Sequence, residues 1–255
     1  MNSIVAVIHR AGWIRIFLYG ALFGFLSYAL FNYWLVAFHP LAIFIVPVIY
    51  AVYFIILFPL LKGADSLFPR YGYVVQAVIW VGYEYLRTRG FLGYSYGILG
   101  YTQYMFLPFA RFSALTGIWG VTFLTVLPAA YLGNAFKEGV GRAKTFFREH
   151  RWDAVAYGAV FAAVLVYGFA VQADLDRADP WRTALIQHNV DPWKHDYEDS
   201  LDILIDLSEQ AEEEDPDIVV WSETAFVPAI EYHTRHRSSR EYYELISRLM
   251  DFLRS

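Results

Sequence analysis

The 255 residues contain no cysteine, which excludes disulfides, thiolate metal sites and a cysteine nucleophile on this polypeptide. Charge is scarce as well. Charged residues make up 18% of the chain, against about a quarter in ordinary soluble domains, while 57% is hydrophobic and 19% aromatic. There is no continuous basic stretch: Lys and Arg fall between apolar runs, so nucleic acid is not an expected partner. A cleavable signal is missing too. The first apolar run is too long for the hydrophobic region of a signal and lacks a small-residue cleavage site, so it reads as an uncleaved anchor. No metal or cofactor is expected, and His233 and His236, without further ligands nearby, read as surface histidines.

What remains is mostly apolar, and it comes in runs. Five are visible: Ile16–Phe38, Leu41–Leu61, Tyr73–Leu86, Phe112–Phe136 and Trp152–Val171. Four reach or approach the roughly 20 residues that a helix needs to cross hydrocarbon. The third is shorter and leads into a Gly/Tyr-rich stretch from Gly90 to Gly100, placed at the membrane interface because irregular backbone in lipid must be covered. The expectation is a polytopic bundle of about five helices over residues 1–175. Gly20 and Gly24 have the spacing of a close helix–helix contact.

Basic residues set the orientation. Arg10 and Arg15 precede the first run, Lys62 and Arg70 follow the second, and Lys137, Arg142, Lys144, Arg148 and Arg151 separate the fourth from the fifth. With five crossings these groups share one side, which the positive-inside rule makes cytoplasmic. Arg87, Arg89 and Arg111 run against the rule. The C-terminal segment is therefore expected outside the cytoplasm.

Residues 176–255 follow a different pattern. Thr183–Val190 is a short strand candidate, Tyr197–Glu213 an amphipathic helix, and Asp217–Trp221 an apolar run of the length of a buried parallel strand. A last helix is expected over Ser239–Arg254. This β-α-β-α order begins a parallel sheet. Two strands and two helices leave faces and edges uncovered, so this α/β segment is expected to be incomplete.

Glu223 directly follows the apolar strand, where α/β folds place ligand-facing groups, and a carboxylate there can act as a general base. The alternative is a capping or solvated glutamate. Glu84 lies three residues before Arg87 at the end of an apolar run; such carboxylates mark functional sites, or else form an interfacial ion pair.

At this point a family resemblance emerges. Asp217–Phe226, with its Trp-Ser-Glu-Thr-Ala core, resembles the "IVWPETA" segment of the apolipoprotein N-acyltransferases. Ala184–Val190 is similar to their Gln-x-Asn strand. Phe109–Asn134, containing Leu115–Leu124, looks like the family's membrane segment with a "TG-x-WG-x-(S/T)-F-L" core. Glu84–Arg87, followed by Gly93-Tyr94 and Gly100–Gln103, resembles an "E-x-LR … LGY-(S/T)-Q" stretch. The four fall in family order.

The resemblance implies a bacterial inner-membrane enzyme with a periplasmic nitrilase-like domain. Such an enzyme moves an acyl chain from a phospholipid to the N-terminal amine of a diacylated apolipoprotein. It implies Glu223 as the catalytic base and Trp193, Glu84 and Arg87 as substrate-binding candidates. The family's acyl-thioester needs a Cys and a Lys that lie downstream of this Glu, and Ser222 stands where the family usually has Pro. The chain is thus expected to be truncated at both ends and inactive alone, with a separately encoded C-terminal part among its possible partners. A non-catalytic lipid- or lipoprotein-binding membrane protein is the alternative. A carrier is disfavoured, since no internal repeat or paired broken helices are visible.

Overall fold

Long apolar runs without nearby polar partners satisfy their own backbone as helices, and in the computed structural model of the chain they do so. The structure describes residues 8–37, 39–91, 93–171, 179–190, 196–236 and 239–254. The chain divides into two compact units, Met1–Ala173 and Asp174–Ser255.

In the first unit the helices are α1 (Trp13–Phe31), α2 (Ala42–Leu67), α3 (Gly72–Arg87), the short α4 (Leu107–Ala110), α5 (Ser113–Phe136), α6 (Val140–Glu149) and α7 (Arg151–Ala170). Among the described residues, α1, α2, α5 and α7 are long and apolar enough to cross a membrane. Only 11–28% of each apolar window is buried, so Leu18, Leu22 and Leu26 of α1 and Val48, Val52 and Ile56 of α2 face outward. Helices apolar all round with so little burial are suited to lipid, not water.

The fifth expected crossing is α3, whose 16 residues fall short of that length. It still runs between the same two ends of the unit. Gly72 begins it against Ala64 and Asp65, and Arg87 ends it against Tyr94 and Tyr96. It is less apolar because it carries Gln76, Glu84 and Arg87, all buried inside the unit.

Close packing explains two glycines. A Cβ on Gly24 would lie 2.8 Å from the Tyr50 carbonyl oxygen, and one on Gly20 would collide with the Phe54 carbonyl. Tyr28 then stacks on Tyr50, ring centroids 3.6 Å apart. A third glycine breaks a helix: Gly117, at φ 63°, interrupts α5 after its first turn.

At one end of the unit Asp65 is the common partner of His9 (2.6 Å) and Lys137, while Lys62 donates to the carbonyl of Ile8 (3.0 Å). Asn134 of α5 donates to Gln76 of α3 at 2.9 Å. The basic segments before α1, after α2 and between α5 and α7 therefore meet at this end.

The second unit contains β1 (Thr183–Ile186), α8 (Tyr197–Glu212), β2 (Ile218–Trp221), α9 (Ile230–His236) and α10 (Arg240–Phe252). The strands are parallel, in the register Thr183↔Ile218 to Ile186↔Trp221. Asp196 caps α8 by accepting from the Glu198 N–H at 2.9 Å. Leu204 of α8 packs with Ile186 and Ala225, flanked by Val219 and Trp221. Leu201 meets Leu245 and Leu249 of α10. The other sheet face is bare: Leu185 is 77% exposed, with Ile218 and Val220 exposed opposite it. β1 is shorter than expected because Asn189 turns to φ 50°.

Candidate functional site

The Gly/Tyr-rich segment between α3 and α4 is held by side chains from below. Glu84 accepts from Trp80 Nε1 (3.1 Å) and, through both oxygens, from the Leu99 N–H (3.2 and 3.3 Å). Arg87 Nη1 donates to the carbonyls of Tyr94 (2.9 Å) and Tyr96 (2.8 Å). The Tyr94 hydroxyl donates to Asn32 Oδ1 at 2.5 Å, and Thr122 Oγ1 accepts from the Gly100 N–H at 3.2 Å. Irregular backbone in an apolar setting needs such partners.

Glu84 and Arg87 therefore lie together, one turn apart, but 2% and 1% exposed they meet protein and not open space. Arg87 Nε and Nη2 have no hydrogen-bond partner among the described residues. Asn32 and Thr122, equal members of this network, escape sequence inspection because their partners are remote in the chain.

In the second unit, the ends of β1 and β2 form a cleft. β2 stops at Trp221, the Ser222 N–H still donates to the Ile186 carbonyl (3.3 Å), and a turn closes from the Ala225 N–H to Ser222 (3.1 Å). Thr224 in that turn has φ 60° and donates its hydroxyl to the Glu223 carbonyl at 2.6 Å. Opposite it, Asn189 has φ 50°. Such left-handed non-glycine residues cluster at functional sites.

A cleft of about 300 Å³ opens between the two turns, lined by Gln187, His188, Asn189, Val190, Ser222, Glu223 and Thr224. Glu223 is solvent-exposed, just past the carboxyl end of a parallel strand, and is not part of a helix. Its neighbours in the cleft are amides, hydroxyls and an imidazole. Among the described residues the lining offers a proton acceptor and hydrogen-bond donors, but no ammonium, guanidinium or thiol. Trp193 lies outside the described residues.

A larger cavity, about 760 Å³, occupies the basic end of the first unit. Its charges are largely matched to one another, Asp65 with His9 and Lys137, and Glu138 with Arg142 at 2.7 Å. Among the described residues no group of three His, Cys, Asp or Glu side chains is placed to hold a metal ion.

Residues 3–131 match the model of the apolipoprotein N-acyltransferase N-terminal domain. The apolipoprotein N-acyltransferase 1 of Treponema denticola is 41% identical over 93% of this chain and 45% of its own length. That of Treponema pallidum is 33% identical over 97% of this chain and 48% of its own. A second Treponema denticola apolipoprotein N-acyltransferase is 28% identical over 83% of the chain and 42% of its own length. The chain thus spans about half the length of the curated relatives it matches. No solved structure matches it. The match to the domain model covers the helical unit as far as Tyr131 in α5, and the Treponema relatives carry the similarity on through most of the chain; this multi-pass helical chain belongs to the apolipoprotein N-acyltransferase family.

Proposed function

We propose that the chain serves lipoprotein N-acylation in the bacterial inner membrane. The reaction transfers an acyl chain from a phospholipid to the N-terminal amine of a diacylated apolipoprotein. The observation that carries this reading is the placement of Glu223 in a polar cleft at the carboxyl end of a parallel strand, within a chain of this family. Its role is general base: it takes a proton from the nucleophilic thiol as the acyl group is captured and passes it to the departing lysophospholipid oxygen, then takes one from the attacking amine and returns it to the departing thiolate. The exposed turn lets it meet groups supplied by other polypeptide. Glu84 and Arg87 support the reaction at one remove by fixing the 93–104 segment, and Trp193 remains a substrate-contact candidate.

With no cysteine in its sequence, the chain cannot form an acyl-thioester by itself. Its relatives are about twice as long. The complete reaction therefore draws its thiol and lysine from polypeptide that these residues do not contain, whether continuous or separately encoded. Residues 176–255 contribute one part of a nitrilase-like domain on the periplasmic side, and the bare face of β1 and β2 is where its remainder docks, since parallel sheets are stable with both faces covered. The missing thiol also supports a second reading, a membrane protein that binds lipid or lipoprotein without turnover.

The two readings separate by assay. Purified chain, given phospholipid and a diacylated lipopeptide, should yield no N-acylated product and no trapped acyl-enzyme. Fused to the C-terminal half of the Treponema denticola relative, it should yield product, and Glu223→Gln should abolish it. Product from the chain alone would overturn the incompleteness. An inactive but folded fusion that still binds lipopeptide would favour the binding reading.

A further inference from the structure

His188 is the group in the Glu223 cleft that the reaction as proposed leaves unused. Both of its ring nitrogens are enclosed, and neither has a hydrogen-bond partner among the described residues. An imidazole in that state loses its hydration with nothing in return, unless a polar group enters the cleft to meet it. The strand ends say where that group would sit. The ladder ends where Ile186 pairs with Trp221, and His188 and Glu223, each two residues past its strand end, both line the cleft. Asn189 and Thr224 are the positions at which both chains turn to positive φ. The cleft lies between the Ser222–Ala225 turn and the segment that follows β1, and His188 and Glu223 both belong to its lining.

The chemistry of the walls selects the ligand. Among the described residues Val190 is the one apolar lining residue, which does not suit an acyl chain. Among them no Lys or Arg lines the cleft, and the Glu223 carboxylate repels an anionic phosphate. A carboxylate and an imidazole lining one cleft fit a group that donates to one and accepts from the other. A primary amine with a carbonyl oxygen close by has that pattern, and the N-terminus of a polypeptide supplies both.

We infer that His188 is a substrate-binding residue that donates its ring N–H to the first carbonyl oxygen of the acceptor peptide while Glu223 accepts from the terminal amine. This rests on the proposed role in lipoprotein N-acylation and adds to it the site of the acceptor's N-terminus. His188 holds the amine in register with the base that must deprotonate it.

The test uses the full chain, its histidine rings labelled with nitrogen-15, in phosphatidylcholine nanodiscs. The probe is an S-diacylglyceryl-cysteinyl peptide with a free amine, and its N-acetylated form is the control. The His188 signal is assigned by its disappearance in His188→Gln. It should move on adding the free-amine peptide and stay in place with the acetylated one. His188→Gln and Glu223→Gln should each weaken peptide binding about three- to tenfold, the scale of one hydrogen bond. If His188→Gln fails to fold, the signal movement in the unaltered chain decides. Weaker binding in Glu223→Gln with a stationary His188 signal would sink this inference and leave the functional reading intact. An unaltered chain that binds no peptide would sink this inference, while the functional reading would still be decided by the fusion assay. The same signal movement in phosphatidylethanolamine nanodiscs without peptide would reassign the cleft to a lipid headgroup and overturn the peptide assignment.

Discussion

Glu84 and Glu223 are the same side chain under opposite conditions, and their substitutions should separate stability from function. Glu84 is buried and accepts from an indole and a backbone N–H, so truncating it strands both donors beside the buried Arg87. Glu84→Ala should cost about 2–4 kcal/mol, the scale for leaving buried polar and charged groups unpaired. Glu84→Gln retains a carbonyl acceptor for the Leu99 N–H and should cost less. Thermal unfolding in detergent measures both, and proteolysis within 93–104 should accelerate in the alanine variant first. Equal losses for Ala and Gln would show that the carboxylate's charge, and not its acceptor oxygens, holds the segment. Glu223 is exposed, so Glu223→Gln should change unfolding by no more than about 0.5 kcal/mol. A large loss there would make it a structural residue and remove it from the chemistry.

Between α1 and α2 there is no hydrophobic driving force once both lie in lipid, so their association depends on how closely the backbones approach. Gly20 and Gly24 permit that approach, with α2 carbonyls already within contact distance of where a Cβ would stand. Gly24→Leu should therefore push the helices apart and break the Tyr28–Tyr50 stack. The expected loss is at least about 2 kcal/mol, measured by unfolding in mild detergent. Gly82, with open space at its Cβ position, should accept Ala without loss, and a similar loss there would count against the packing explanation. The Gly20/Gly24 spacing is visible in sequence, as are α1, α2, α5 and α7, because length and apolarity alone define them. The parallel pair β1–β2 and the α8 boundaries also follow from local pattern. The break at Gly117 does not, since a glycine in an apolar run is equally compatible with an unbroken helix. Nor do the fastenings of the 93–104 segment, whose partners Asn32 and Tyr94 are 62 residues apart. Helix α9 lacks a strong apolar period and goes unseen. In the cleft, Glu223 is legible from its place after an apolar strand, whereas His188 becomes significant only once the fold brings it into the same lining.

For the whole molecule, the issue is which end of the helical unit faces the cytoplasm. Lys137 and Asp65 meet at one end beside Arg70 and Arg142, and α7 leaves that end at Arg151. The positive-inside rule predicts a cytoplasmic position for that end, and the expectation that residues beyond α7 lie outside the cytoplasm is open to a direct labelling test. The three arginines that oppose the rule each engage neutral groups of the protein. Arg87 is buried on the Tyr94 and Tyr96 carbonyls, Arg111 donates to the Gly168 carbonyl at 2.7 Å, and Arg89 sits over the Tyr85 ring at 4.7 Å. Because the chain has no cysteine, each one introduced is a unique reporter. Lys144 and Ile230, both exposed within their own units, are suitable positions. A membrane-impermeant thiol reagent added to intact spheroplasts should label Ile230→Cys and spare Lys144→Cys until the membrane is opened. The opposite pattern would invert the topology and put Glu223 on the cytoplasmic side, away from exported lipoproteins. Labelling of both positions before lysis would mean that an even number of crossings separates them, and α7, the one long apolar helix between them among the described residues, would then not span the membrane.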